Sequence, residues 1–89
     1  MTAERTVMIT NKRGLHARAS AKFVTLASSQ SAQIEVEKDG SKVAGTSIMG
    51  LMMLGAAMGD SVTISAVGDG ANHAVDALCG LVENKFGEE

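Results

Sequence analysis

The chain has 89 residues, of which 45% are hydrophobic, and it carries a formal net charge of −2 with only two aromatic residues. This length suits one domain, predicted over residues 1–89, and the apolar content is too high for a disordered chain. The acidic balance and the lack of stacking side chains argue against nucleic-acid binding, and no stretch reaches the ~18 apolar residues of a membrane span.

The first third of the chain is predicted to form a strand, a loop and a helix. Residues 6–10 form a short run that is rich in β-branched side chains, which is typical of a strand. Gly14 interrupts the pattern and indicates a loop. Apolar residues then follow helical spacing from Ala17 to about Ser28.

Three strands are predicted in the rest of the chain. Residues 32–37 and residues 60–66 alternate between apolar and polar side chains, which is typical of half-buried strands. Asp39 and Gly40 form a strong signal for a two-residue hairpin turn, so residues 41–44 are expected to return as a short strand.

Two more helices complete the prediction. Ser47 precedes an apolar run that ends near Leu54, and serine before such a run is typical of a helix N-cap. Residues 71–86 have a long apolar stripe at helical spacing. Strands with one polar face favour an antiparallel sheet, so we expect an α+β fold in which three helices cover one face of four antiparallel strands.

Positive charge is concentrated in the first half of the chain. Five basic residues and no acidic residue lie between positions 5 and 34, whereas the remaining three basic and ten acidic residues give −7. This distribution favours binding of an anion or of an acidic partner surface.

His16 lies directly before the predicted helix, with Arg18 in its first turn. A helix N-terminus has unpaired backbone amides and partial positive charge, which favour phosphate. Nearby cations disfavour imidazolium, and a neutral imidazole is a nucleophile. We therefore predict that His16 accepts a phosphoryl group, bound by the amides of Ala17 and Arg18 and by the Arg18 guanidinium, although a plain surface histidine would fit the same pattern.

The apolar run after Ser47 suggests a docking surface. Helical spacing leaves Ile48, Met49 and Met52 away from the core, and Met side chains adapt to several partners. Phosphate on Ser47 would place negative charge beside these side chains and switch docking off. A core helix with an ordinary serine cap remains the alternative.

Two segments together resemble a known family. GLHARAS at residues 14–20 is followed by SIMGLMMLGAAMGDSVTISAVG at residues 47–68, and this pair resembles the HPr family of histidine phosphocarriers. The family commonly has Pro-Ala where this chain has Ala19 and Ser20. Loss of the proline makes the start of the helix less rigid, and Ser20 is expected to bond back to a carbonyl.

The resemblance implies an open-faced β-sandwich and a phosphoryl relay of the phosphoenolpyruvate-dependent phosphotransferase system. Enzyme I would phosphorylate His16 at Nδ1, and an enzyme IIA-type acceptor would take the group. Arg18 matches the active-site arginine, and Ser47 matches the serine that HPr kinase/phosphorylase modifies. The docking surface is assigned to Ile48, Met49, Met52 and Lys22.

The resemblance also implies a bacterial, cytoplasmic carrier without cofactor or metal that is not an autonomous catalyst. It leaves open whether the chain serves sugar uptake, as HPr does, or a nitrogen-related system, as NPr does. One alternative is a regulatory binding module whose phosphorylation at Ser47 controls docking of other regulatory proteins. Another is a soft-metal carrier that uses Met, His and Cys79, but no Cys-x-x-Cys motif supports it.

Overall fold

The elements follow one another in a βαββαβα order. A computed structural model of the chain describes residues 1–88, so residue 89 of the predicted domain lies outside the described residues. A 3-10 turn over Lys85–Gly87 follows the last helix. The elements are β1 (Thr2–Met8), α1 (Ala17–Ser28), β2 (Gln33–Lys38), β3 (Ser41–Ala44), α2 (Ile48–Met53), β4 (Ser61–Val67) and α3 (Ala71–Glu83).

The four strands form one antiparallel sheet in the order β1-β4-β2-β3. Asp39 and Gly40 both have positive φ, 52° and 84°, as the predicted tight hairpin between β2 and β3 requires. The three helices cover one face, and the other face is polar, with the Thr6 and Thr63 hydroxyls 2.9 Å apart. The predicted open-faced α+β sandwich is confirmed. No helix among residues 1–88 is long and apolar enough to cross a membrane.

The core lies between the sheet and the helices. The alternation predicted for β2 and β4 is confirmed, and burial of each Val or Ile side chain on these strands contributes ~1.5–3 kcal/mol. Cys79 is also buried, as predicted. The strands and helices supply Val7, Ile34, Val36, Val62, Ile64, Ala66, Ala19, Phe23, Leu51, Leu54, Ala74, Val75, Leu78 and Val82.

The prediction for the first strand was wrong at both ends. The strand was expected over residues 6–10 but spans Thr2–Met8, because it pairs with β4 along its whole length, from Thr2 opposite Val67 to Met8 opposite Ser61. Its first half contains charged side chains and lacks an apolar pattern. The Arg5 side chain extends to Asp76 on α3 at 3.2 Å, so a charged residue is accommodated there.

The last helix is shorter than predicted. It ends at Glu83 instead of residue 86, and Lys85 and Phe86 both adopt φ of 55°, which is left-handed backbone. Phe86 is nevertheless only 1% exposed, because this bend carries its ring back into the core. The apolar stripe therefore identified a buried residue correctly but assigned it to the wrong element.

Candidate functional site

His16 is the N-cap of α1, as the sequence predicted. Its backbone is extended, its carbonyl accepts the first helical hydrogen bond from Ser20 at 2.9 Å, and its Nδ1 accepts from the backbone amide of Arg18 at 3.3 Å. The imidazole is 15% exposed, so it is neither in the interior nor turned away from the helix. The ring therefore lies over the first amides of α1.

The loop before His16 is fixed by close contact with the segment after α2. Gly14 has φ of 64°, and a Cβ there would lie 2.4 Å from the Ala56 carbonyl oxygen. The amide of Leu15 donates to the same oxygen at 2.9 Å. The Ser20 hydroxyl donates to the Leu15 carbonyl at 3.2 Å, which confirms the predicted bond from this residue back to the backbone. These contacts set where α1 begins.

Asn11 ties the loop to the C-terminal end of the chain. Its side chain is fully buried, and its Nδ2 donates to the Gly14 carbonyl at 2.8 Å and to Glu88 Oε1 at 3.0 Å. Its Oδ1 is buried without a partner in the part of the chain that the structure describes. Because carbonyl and carboxylate oxygens only accept, these two acceptors determine which way the amide points.

Glu88 contacts His16 directly. Its Oε2 lies within hydrogen-bond distance of Nε2 of the imidazole. Burial acts against the charged carboxylate, but hydrogen bonds from Asn11 and His16 and the positive charge of Lys22 hold the pKa of Glu88 below its ordinary value of 4.5. The carboxylate is therefore charged at neutral pH.

The hydrogen-bond partners of His16 define its tautomer. Glu88 can only accept, so Nε2 carries the hydrogen, and the Arg18 amide can only donate, so Nδ1 keeps its lone pair. The sequence analysis considered only cations around this ring and missed the carboxylate. Glu88 follows His16 by 72 positions, and no local pattern in the sequence connects the two.

Basic side chains surround this region. Lys22 donates from Nζ to the carbonyl of Phe86 at 2.7 Å, so it holds the C-terminal turn against α1. Its assignment to the docking surface stays a prediction. A cavity beside the turn is lined by Lys12, Arg13, Arg18, Lys22, Gly87 and Glu88. The predicted positive surface and the predicted nucleophile are thus adjacent.

Ser47 is the N-cap of α2. Its hydroxyl accepts from the Gly50 amide at 2.9 Å, and its carbonyl accepts from Leu51 at 3.0 Å. A Cβ at Gly50 would lie 3.0 Å from Ser47 Oγ and 3.1 Å from Val43 Cβ, so the serine packs closely there. The predicted cap is confirmed, and whether Ser47 is modified stays a prediction.

The helix after Ser47 has two distinct sides. Leu51 is fully buried and Leu54 is 8% exposed, as the helical spacing predicted. The three predicted docking side chains are exposed by 42%, 72% and 44%, and the sequence analysis missed a fourth, at 79%. These four form what we call the α2 apolar patch: Ile48, Met49, Met52 and Met53.

The metal-carrier alternative finds no support in the side-chain arrangement. Among residues 1–88, no group of three or more His, Cys, Asp and Glu side chains is placed to hold a metal ion. Cys79 is buried, and burial raises the pKa of its thiol, although Arg5 acts in the opposite direction.

A small α+β sandwich with one imidazole over a cationic helix N-terminus is the arrangement expected of a phosphoryl carrier. Comparison with known families agrees: residues 3–84 match the family described as "PTS HPr component phosphorylation site". The chain belongs to the HPr family, the phosphocarriers of the phosphotransferase system.

Relatives from both branches of the family are similar to the chain. It is 46% identical to the phosphocarrier protein HPr of Cupriavidus necator, over 96% of each chain. It is 45% identical to the phosphocarrier protein NPr of Shewanella violacea, over 96% of this chain and 93% of that protein. The crystal structure of HPr-C-His from Thermoanaerobacter tengcongensis superposes with a TM-score of 0.93 at 54% identity, covering 98% of both chains.

Proposed function

We propose that the protein accepts a phosphoryl group from phosphorylated enzyme I on Nδ1 of His16 and passes it to an enzyme IIA-type acceptor. The lone pair of Nδ1 forms the new N–P bond, while the bond between phosphorus and enzyme I breaks and its electron pair stays with enzyme I. The observation that carries this proposal is the position of Nδ1 over the first turn of α1, where it accepts from the Arg18 amide.

The start of α1 can stabilise the group once it has arrived. The hydrogen bond from the Arg18 amide to Nδ1 is long, at 3.3 Å, so the lone pair is released at small cost. The amides of Ala17 and Arg18 and the Arg18 guanidinium then donate to the phosphoryl oxygens. A helix N-terminus contributes ~0.3–1 kcal/mol to such an anion, which is modest enough for a group that must leave again.

The test is phosphorylation by purified enzyme I and phosphoenolpyruvate. We expect a mass increase of one phosphate that is lost in acid and retained in base. His16→Ala should abolish the label, and His73→Ala, which changes an exposed histidine on α3, should leave it unchanged. Full labelling of His16→Ala would refute the proposal.

Regulation at Ser47 forms a second part of the proposal, with HPr kinase/phosphorylase as the modifying enzyme. The Ser47 hydroxyl lies at the start of α2, next to Ile48 and Met49 of the α2 apolar patch. A phosphate there adds about −1.5 to −2 elementary charges at neutral pH. The dipole of α2 tolerates this charge, but an apolar partner surface would not, so modification should weaken docking.

Binding measurements separate the carrier from the alternative regulatory module. We expect Ser47→Asp and Met49→Asp to weaken binding to enzyme I and to the enzyme IIA-type acceptor, whereas Ser47→Ala and Met8→Asp should not. Met8 is 52% exposed on β1, outside the patch, and serves as the matched control for Met49. The regulatory module is favoured instead by a partner whose affinity falls with Ser47→Asp and is unchanged by His16→Ala.

The branch of the system is decided by the acceptor. We propose that the protein works in the cytoplasm with the acceptor of either a sugar or a nitrogen-related system. Labelled protein should be offered both kinds of enzyme IIA in parallel. Faster transfer to one of them assigns the branch.

A further inference from the structure

The C-terminal turn reaches the imidazole that the proposed function uses. Phe86 is 1% exposed and fixes the turn in the core, and Lys22 binds the Phe86 carbonyl at 2.7 Å. The next residues lead to Glu88, whose carboxylate meets His16 on the side opposite to the Arg18 amide. The imidazole is therefore held between two partners, the nearby Arg18 amide and the Glu88 carboxylate from the other end of the chain.

We propose that Glu88 is a positioning residue for His16: held by Asn11, it keeps the ring in the Nε2–H tautomer and so leaves the lone pair on Nδ1. This inference rests on the proposed function, because it names what prepares the acceptor atom for the phosphoryl group.

The arrangement around Asn11 leaves Glu88 little freedom. One carboxylate oxygen accepts from Asn11 Nδ2 at 3.0 Å and the other accepts from His16 Nε2. Asn11 is itself fully buried and is held by the Gly14 carbonyl at 2.8 Å. Burial of its unpartnered Oδ1 is unfavourable. This unfavourable burial occurs at Asn11, the residue that orients Glu88.

The contact also suits both states of the carrier. Before transfer, the charged carboxylate accepts from Nε2 and so favours the proton on that nitrogen. After transfer, Nδ1 bears the phosphoryl group and Nε2 keeps its hydrogen, so the same bond to Glu88 persists. The ring can therefore gain and lose the group without turning.

The decisive variant is Glu88→Gln. Glutamine has the shape of glutamate, but an NH2 group replaces one of the two acceptor oxygens, so it cannot present a separate oxygen to Asn11 and to His16 as Glu88 does. We expect the ¹⁵N NMR shifts of the His16 ring to show a mixture of tautomers instead of Nε2–H alone. The rate of phosphorylation by enzyme I should fall about tenfold, which equals ~1.4 kcal/mol.

Glu83→Gln is the matched control, because it removes the same charge from an exposed position at the end of α3. It should change neither the ring shifts nor the rate. The inference is overturned if Glu88→Gln keeps the pure Nε2–H tautomer and a rate within about twofold of the unmodified chain, or if the rate rises, which would make Glu88 an obstruction.

The two proposals fail in different ways. Labelling of His16→Ala refutes the proposed function, whatever Glu88 does. Loss of label in His16→Ala with normal behaviour of Glu88→Gln refutes only the positioning role. Asn11→Ala provides a second readout, since it should loosen Glu88 and shift the tautomer in the same direction while the carboxylate is retained.

Discussion

Gly14 shows how much a single residue contributes to the placement of His16. Its left-handed backbone and its lack of a side chain are both required, because the Ala56 carbonyl and the Ala57 backbone occupy the space where a Cβ would lie. The sequence identified Gly14 only as a loop residue. Its role in a close contact between two loops depends on Ala56, which lies 42 positions further along the chain.

Gly14→Ala should therefore be more destabilising than an ordinary glycine substitution. Its Cβ would meet Ala56 O at 2.4 Å and Ala57 Cα at 2.9 Å, in addition to the strain of φ at 64°. We expect a loss of at least ~2 kcal/mol in the free energy of unfolding, measured with urea.

Gly55→Ala is the control for backbone strain alone. Gly55 has nearly the same φ, 65°, and a Cβ there would have no neighbour within 4 Å. We expect a loss of only ~1 kcal/mol. If the two variants unfold at the same urea concentration, steric contact at Gly14 is not what matters.

The turn that follows α3 has only a few residues, but it packs against the rest of the fold as a helix or strand does. It attaches through an apolar anchor, Phe86, and through polar contacts at Lys22 and Glu88. Because the helix ends at Glu83, the turn can cross to α1 and reach the start of that helix. A helix continued to residue 86, as the periodicity predicted, would have carried these residues elsewhere.

Phe86→Ala should reduce stability and release the turn. Removal of a buried Phe ring costs ~3–5 kcal/mol in protein cores. We expect a loss of this size in urea unfolding, together with faster amide hydrogen exchange at residues 85–88. Phe86→Leu keeps most of the apolar volume and should lose much less; equal losses in the two variants would show that packing of this side chain is not the cause.

Acid should release the contact between Glu88 and His16. The folded pKa of Glu88 lies below its ordinary value of 4.5, so its contribution to stability is complete above that pH and is lost as the pH falls through the lowered pKa. The imidazole donates from Nε2 in both its neutral and cationic forms, so only the carboxylate has to be charged.

We therefore expect the ring resonances of His16 to report loss of this contact below pH 4.5, while far-UV circular dichroism still shows the folded sheet and helices. Glu88→Gln should show no such transition in that range. Persistence of the contact after the Glu88 carboxyl has been protonated by acid would contradict this assignment of its energetics.

The positive and negative side chains of the molecule lie mostly in different regions. The segment between residues 5 and 34 carries five cations, and four of them lie around the start of α1, at Lys12, Arg13, Arg18 and Lys22. The acidic residues lie mostly on later elements. A partner with an acidic surface is thus steered toward His16.

This separation predicts a strong dependence of partner association on salt. The association rate with enzyme I should fall at least tenfold between low salt and about 0.5 M salt, because screening shortens the range of attraction. Arg13→Gln should reduce this dependence, whereas Lys42→Gln on β3, outside the cluster, should not. A rate independent of salt would exclude electrostatic steering.

Local patterns were sufficient for much of this protein. The helix over Ala17–Ser28, the hairpin at Asp39 and Gly40, and the cap at Ser47 depend on residues close in sequence, and all three were predicted. His16 at a helix start is also a local feature. Hydrophobic periodicity and turn chemistry act over a few residues, so a single sequence reveals them directly.

The contact between His16 and Glu88 was decided only by the tertiary structure. Pairing with β4 extended β1 through charged residues, and the bend at Phe86 ended α3 early and brought Glu88 to the imidazole. These contacts join positions far apart in the chain, and they form because burial of Phe86 and completion of the sheet outweigh local preferences. The sequence by itself predicted His16 as the acceptor residue and determined the start of its helix; the folded chain brought the Glu88 carboxylate to Nε2 of the ring.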